Sequence, residues 1–304
     1  MLSVSPICLF GTASVPASPN IPEYLPTSGL ARALALPILW MLLIAGLLAC
    51  LSVNAPAADG LPSAADVTRR MIERARAVAE AEQGPQYTYE KQSVLERLDA
   101  GGRSIGSEEK LYQVVLIRGL PFNRLVKIRG QELNAEELKR EQAREEKFQQ
   151  RFVSADRRKL AAQKAALVTP ELLDRYQFAV KERMVLSNRP TLVLTFRPKS
   201  TSLPEGKVQD RLLNRMAGTL WVDEAEADAA RVVARLMEPM SLGFLGWMGS
   251  LSRCELSLDR QRMPDGVWVN TRMTLLLHCR RLATALRFRL TEASRGFKRA
   301  EAEG

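Results

Sequence analysis

Ala217-Gly218-Thr219-Leu220-Trp221-Val222-Asp223 opens the stretch, residues 214–293, whose reading decides the fold. Apolar and polar side chains alternate along it with period 2, the repeat of strands that bury one face. After a polar turn, Glu224 to Asp228, Val232, Ala234 and Leu236 point one way and Arg231 and Arg235 the other. Pro239 ends that strand by removing a ladder donor. Cys254, Leu256 and Leu258 then alternate with Glu255, Ser257 and Asp259. Pro264-Asp265-Gly266 makes a hairpin turn, because proline presets one dihedral and glycine accepts a positive φ. The return strand sets Val267, Val269, Met273, Leu275, Leu277 and Cys279 against Trp268, Asn270, Arg272, Thr274 and His278. Leu286, Phe288 and Leu290 against Arg287, Arg289 and Thr291 complete the run. One apolar and one wet face per strand indicate an antiparallel sheet solvated on one side, not a buried parallel sheet.

Working outward, the same alternation predicts strands from Tyr87 and Tyr89, a hairpin at Asp99-Ala100-Gly101-Gly102, and a second strand with Leu111, Val115 and Ile117 on one face. Pro121 resets the chain before a third strand through Phe122, Val126 and Ile128. Phe178, Val180, Met184 and Leu186, a turn at Asn188-Arg189-Pro190, and Leu192, Leu194 and Phe196 form another pair, with Glu182 near a sheet edge. Residues 198–209 read as a loop. The count is nine or ten strands in one sheet.

Two stretches carry the helical period instead. Ser63 or Asp66 caps a helix through Val67, Met71, Ile72, Ala75 and Val78 that Gly84-Pro85 stops. From Asn134 to Tyr176 the chain is rich in Glu, Lys, Arg, Gln and Ala, with Asn134 as cap and Pro170 dividing a long helix from a short one. Such a charged helix is either a solvated element or a lid across the open side of the sheet. Two helical regions do not cover so long a sheet by tight packing. A curled, half-open barrel with helices at its mouth solves the burial problem and leaves room for an apolar cavity.

The N-terminus reads as a leader. Arg32, an apolar run from Ala33 to Val53 and a small-residue exit make an export signal. Three outcomes stay open. Ala55-Pro56-Ala57 fits a cleavage site that frees Ala58; Leu47-Leu48-Ala49-Cys50 resembles a lipobox that lipidates Cys50; or the run stays as a membrane anchor. Export places the protein in the periplasm or at the outer membrane.

The chain of 304 residues carries a net charge of +10, which favours an anionic partner such as a membrane surface or an acidic protein. The basic residues are spread along wet strand faces and no nucleic-acid motif is present, which argues against nucleic acid. His278 is the single histidine, too few for a metal site or a serine or cysteine triad. No Walker loop, dinucleotide fingerprint or nucleophile elbow occurs, so neither a cofactor nor catalysis is expected. Cys254 and Cys279 fall on the apolar faces of neighbouring hairpin strands, either as a disulfide or as two packed thiols. Leu242-Gly243-Phe244-Leu245-Gly246-Trp247-Met248-Gly249 puts apolar side chains on a flexible loop. It either plugs the core, gates a cavity, or touches a membrane or partner.

Gly218, Leu220, Trp221, Val222 and Asp223, followed by Val232 to Leu236, a Tyr-x-Tyr first strand and an amphipathic first helix, resemble the LolA/LolB-like superfamily of periplasmic lipoprotein carriers. The resemblance implies an unclosed α+β half-barrel whose apolar interior holds acyl chains. On that reading residues 1–57 are extension and signal, and 58–304 form one domain with a helical insertion at 131–176. The expected cargo is a lipid, lipoprotein or other amphiphile, lined by Tyr89, Leu194, Phe196, Leu220, Leu256, Met273, Leu275 and Phe288. The insertion is longer than in the carriers, and no cargo-gating arginine can be matched. A filled-core interaction or sensor module that binds an envelope protein is the alternative, and a carboxylate-pair hydrolase the third reading.

Overall fold

Twelve strands make one open antiparallel sheet in the computed structural model. It describes residues 60–80, 87–151, 169–199, 207–242, 249–281 and 284–300. The elements are α1 (Ala64–Glu80), β1 (Tyr87–Leu98), β2 (Ser104–Ile117), β3 (Leu120–Ile128), β4 (Gln131–Glu132), α2 (Ala135–Arg151), α3 (Pro170–Asp174), β5 (Tyr176–Leu186), β6 (Arg189–Pro198), α4 (Val208–Leu213), β7 (Met216–Asp223), β8 (Ala229–Leu236), β9 (Met240–Leu242), β10 (Gly249–Arg262), β11 (Trp268–Arg281) and β12 (Thr284–Arg299). They all belong to one compact unit that runs on from Pro62.

The spatial order is β4-β3-β2-β1-β12-β11-β10-β8-β7-β6-β5, with β9 paired to the start of β10. The first strands therefore close onto the last: β1 pairs with β12 from Tyr87↔Arg299 to Arg97↔Phe288. The β4 and β5 ends do not meet, so the mouth stays open.

Local chemistry explains the turns. Arg118-Gly119, Arg129-Gly130 and Ser187-Asn188 all take positive φ at both positions, as tight two-residue hairpins require. The β2–β3 reversal thus sits at Arg118-Gly119, and Pro121 lies within β3 opposite Leu116. Gly266 has φ 87° and its N–H bonds to the Met263 carbonyl, closing the Pro264-Asp265-Gly266 turn.

Helix caps follow the expected chemistry. Ser63 Oγ accepts the Asp66 N–H at 3.1 Å and starts α1. At α2, Asn134 Oδ1 accepts the Glu137 N–H at 2.9 Å while the Glu137 carboxylate accepts the Asn134 N–H at 2.9 Å, a reciprocal capping box. Thr169 caps α3, and Pro170 occupies its first turn, where its missing N–H costs nothing.

Three helices, α1, α3 and α4, bury their apolar sides on β5 to β10. Val67 and Met71 of α1, Leu173 of α3 and Leu212 of α4 join Leu192, Leu194, Met216, Val222 and Val232 in one core. The acidic β7–β8 turn ties α1 and several strands to that core. Arg70 donates to the Glu224 carbonyl at 2.7 Å, Arg183 pairs with Glu224, Arg260 with Asp228 at 2.5 Å, and Trp268 Nε1 donates to Glu226 at 2.8 Å.

Helix α2 guards the β3 edge. The Glu141 carboxylate accepts the Leu125 N–H at 2.9 Å, and Arg144 donates to the Asn123 carbonyl. Phe148 packs on Phe122 with ring centroids 5.0 Å apart. These contacts satisfy edge groups that would otherwise invite another strand.

Three details differ from the sequence expectation. Residues 208–213 form α4, with Leu212 and Leu213 buried, starting within the expected loop 198–209. Residues 240–242 form the short strand β9 at the head of the apolar loop. A bulge between Val180 and Glu182 shifts the register of edge strand β5, so the apolar series does not run unbroken to Leu186. Val185 is left exposed there.

Candidate functional site

The helix-bearing face of the sheet is the candidate site, and it is best followed row by row. Leu256, Leu275, Leu290 and Leu95 are direct neighbours across β10, β11, β12 and β1. Because the pleat repeats every two residues, they share one face. Exposure rises along the row: Leu256 is 4% and Leu275 5% exposed, Leu290 is only partly buried, and Leu95 is 40% exposed. Among the described residues the helical cover thus runs out over the middle of the sheet. In the row on one side lie Cys254, Leu277 and Phe288.

The row on the other side starts apolar, with Leu258 and Met273, and turns polar at Glu292 and Ser93. Lys91, two residues before Ser93 on the same face, reaches Glu292 with Nζ 3.2 Å from Oε1. Both side chains are largely buried. The Lys91 ammonium also lies 5.4 Å from the centre of the Tyr112 ring. Tyr89 stands nearby against Phe297, rings 4.9 Å apart. Burial, with a smaller push from the Glu292 charge, raises the Tyr89 phenol above its ordinary pKa and keeps it a proton donor. Sequence alternation names Tyr89 but misses the Lys91–Glu292 pair. Its partners lie on strands far apart in the chain, and a lysine among Tyr, Glu, Gln and Ser looks like a wet face.

The eight expected lining residues divide in two. Leu194, Phe196, Leu220, Leu256 and Leu275 are buried in the core beneath the helices. Met273, Phe288 and Tyr89 are half-buried on the central strands. Among Tyr176, Phe178, Phe196, Leu220 and Val232 lies a half-open hollow of about 20 Å³, room for about one water.

Cys254 and Cys279 are free thiols in this structure. Cys254 stands opposite Leu277, and Cys279 opposite Leu251. Burial, then the neighbouring Cys279 and Glu255, pushes the Cys254 thiol up to about 12. His278 lies on the other face, in a row with Arg253 and Arg287. Burial and those two guanidinium charges lower its pKa. Among the described residues no group of three or more His, Cys, Asp or Glu could hold a metal ion, and no helix is long and apolar enough to cross a membrane. Leu242 ends β9 opposite Gly249. Phe244, Leu245, Trp247 and Met248 of the apolar loop, and Cys50, lie outside the described residues.

No family model matches the chain, and no curated protein matches it. Solved structures do. A DUF1329 family protein from Desulfovibrio piger is 12% identical, with 78% of this chain and 95% of that one covered and a TM-score of 0.30. A putative outer membrane lipoprotein-sorting protein domain from Vibrio parahaemolyticus is 8% identical over 78% and 95%, TM-score 0.31. A LolA superfamily protein from Nitrosomonas europaea is 10% identical over 79% and 95%, TM-score 0.27. Overlays this loose say nothing of what the chain binds. Its own architecture is plain: an α+β chain with an open antiparallel sheet, in the pattern of a half-barrel.

Proposed function

We propose that this chain is a non-enzymatic, exported envelope protein that holds an amphiphile, a lipid or the acyl chains of a lipoprotein, against the uncovered part of its apolar sheet face. The observation that carries the reading is the row Leu256–Leu275–Leu290–Leu95, buried at one end and exposed at the other. An acyl chain laid along Leu290, Leu277, Phe288 and Leu95 would remove from water the surface that the helices leave open. Each buried methylene contributes about 0.8 kcal/mol. A rigid antiparallel sheet supplies such a floor without rearrangement, so little binding energy goes into ordering it.

The test is native mass spectrometry of the protein purified gently from its own envelope. A bound mass in the lipid range, lost in Leu95→Asp, is the expected result. Leu95 is exposed enough for that variant to fold. A bare polypeptide mass overturns the reading. The same spectrum reports the mature N-terminus and so separates lipidation at Cys50 from cleavage before Ala58.

The burial of Leu194, Phe196, Leu220, Leu256 and Leu275 in the core supports a second reading, an interaction or sensor module whose partner is another envelope protein or an anionic membrane surface. A lipid-free preparation that captures one envelope protein in a fixed ratio would select it.

A further inference from the structure

We infer that Lys91 and Glu292 form a headgroup site and that the amphiphile held here carries a zwitterionic head with a phosphate and a primary ammonium. The inference rests on the reading above and names the ligand class of that site.

The pair is out of place as packing. Glu292 sits one row from Leu290 and directly beside Met273, and Lys91 two rows from Leu95, at the boundary where the apolar face becomes polar. Burying two charges costs more than a lone pair usually returns, and apolar replacements of such pairs are often neutral or stabilising. Lys91 uses one of its three N–H donors on Glu292 at 3.2 Å and turns the ammonium towards Tyr112. Among the described residues neither charge makes another hydrogen bond. Close by, Lys110 and Glu108 pair with each other at 2.5 Å, and Glu141 and Arg144, which also act on Tyr112, pair at 2.5 Å; Arg97 stands farther along the same face of β1, opposite Phe288. The three pairs around Tyr112, Lys91–Glu292, Lys110–Glu108 and Arg144–Glu141, are together electrically balanced.

A balanced pair selects against a head of one sign. A purely anionic head would meet Glu292, and a purely cationic one Lys91. A head with both charges lets Lys91 and the Tyr89 hydroxyl donate to its phosphate while Glu292 accepts from its ammonium. A trimethylammonium head has no N–H to donate and loses that last contact. Acyl chains attached to such a head would extend over the adjacent Leu290, Leu277 and Phe288 rows, about 7 Å per row.

The experiment loads the full exported protein from vesicles of phosphatidylethanolamine, phosphatidylcholine or phosphatidylglycerol, and from dispersed diacylglycerol. The re-isolated protein is then assayed for bound lipid by mass spectrometry. The wild type should take up phosphatidylethanolamine about tenfold better than the other three. The double variant Lys91→Met/Glu292→Leu, which leaves no buried charge unpaired, should lose that preference and keep its diacylglycerol uptake. Equal uptake of all four lipids by the wild type overturns the headgroup site while leaving the groove standing. So does a double variant whose only change is thermal stability; the pair would then lock the β1–β12 register and nothing more. Uptake of no lipid, diacylglycerol included, overturns the groove itself.

Discussion

Arg189 and Asp223 meet across the β6–β7 seam as a two-point clamp, with Nε 2.5 Å from Oδ2 and Nη2 2.9 Å from Oδ1. Asp223 closes the Gly218–Asp223 motif and is 1% exposed. Its carboxylate also accepts the N–H groups of Glu226 and Ala225, so it shapes the β7–β8 turn.

Removing that carboxylate should destabilise the fold. Burial pushes the Asp223 carboxyl up, but Arg189 and the two backbone N–H groups outweigh it and hold the pKa below the ordinary range. The folded value lies under the unfolded one, so the unfolded chain binds the proton first and stability falls with pH. The contribution is whole above about pH 4 and is lost as pH drops through the lower folded value. Asp223→Asn should cost about 3 kcal/mol at pH 7, by urea unfolding, because it breaks the two-point clamp and leaves Arg189 only the longer contact with Glu226 at 3.6 Å. The difference between wild type and variant should shrink in acid. A constant gap down to pH 2 would contradict the clamp.

Gly218 has no room for a side chain. A Cβ there would stand 2.1 Å from the Val233 carbonyl oxygen, 2.8 Å from the Phe196 ring and 3.0 Å from the Ala234 Cα. Two of those contacts are backbone and cannot swing away. Gly218→Ala should lower stability by about 3 kcal/mol or stop soluble expression. Adding Phe196→Leu should recover little of it. Full recovery in the double variant would mean that the ring, and not the β8 backbone, sets the limit.

Glu141 should act as a bolt on the β3 edge. Its carboxylate takes the Leu125 N–H and pairs with Arg144 at 2.5 Å. Glu141→Ala should cost about 2 kcal/mol and expose the edge. The readouts are faster hydrogen exchange at the Leu125 amide and concentration-dependent association. Unchanged exchange there would show that α2 is dispensable to the edge.

The Cys254 thiol should be nearly inert. With its pKa pushed up to about 12 by burial, the thiolate fraction at pH 8 is about one in ten thousand. Peptide mapping after native alkylation should find the half-buried Cys279 labelled well before Cys254, and both labelled at once in denaturant. Prompt native labelling of Cys254 would mean that β10 and β11 open readily.

Much of this fold was legible because strand and helix periods are local properties of the backbone. The Pro264-Asp265-Gly266 turn, the Asn134 cap, the apolar faces of β8, β10 and β12, and that of β11 from Met273 to Cys279 stand where alternation and capping chemistry put them; a register shift at Thr271 takes Val267 and Val269 off the Met273 face. Helix α4 was not legible, because its six residues make barely two turns and Lys207 offers no capping side chain. The β5 bulge was not legible either. One inserted residue flips the faces beyond it without changing composition.

The candidate site divides along the same line. Its apolar floor, Leu256, Met273, Leu275 and Phe288, follows from alternation alone. Its polar boundary does not, because Lys91 and Glu292 are 201 residues apart in the chain. By itself the sequence determined the strand faces between bulges, the turns, the antiparallel class and the absence of familiar catalytic motifs, all consequences of short-range geometry. Only the tertiary structure decided that β1 pairs with β12, where the helical cover stops and which charges meet on the apolar face. Those depend on long-range pairing, whose free energy comes from burial shared between segments that no local period connects.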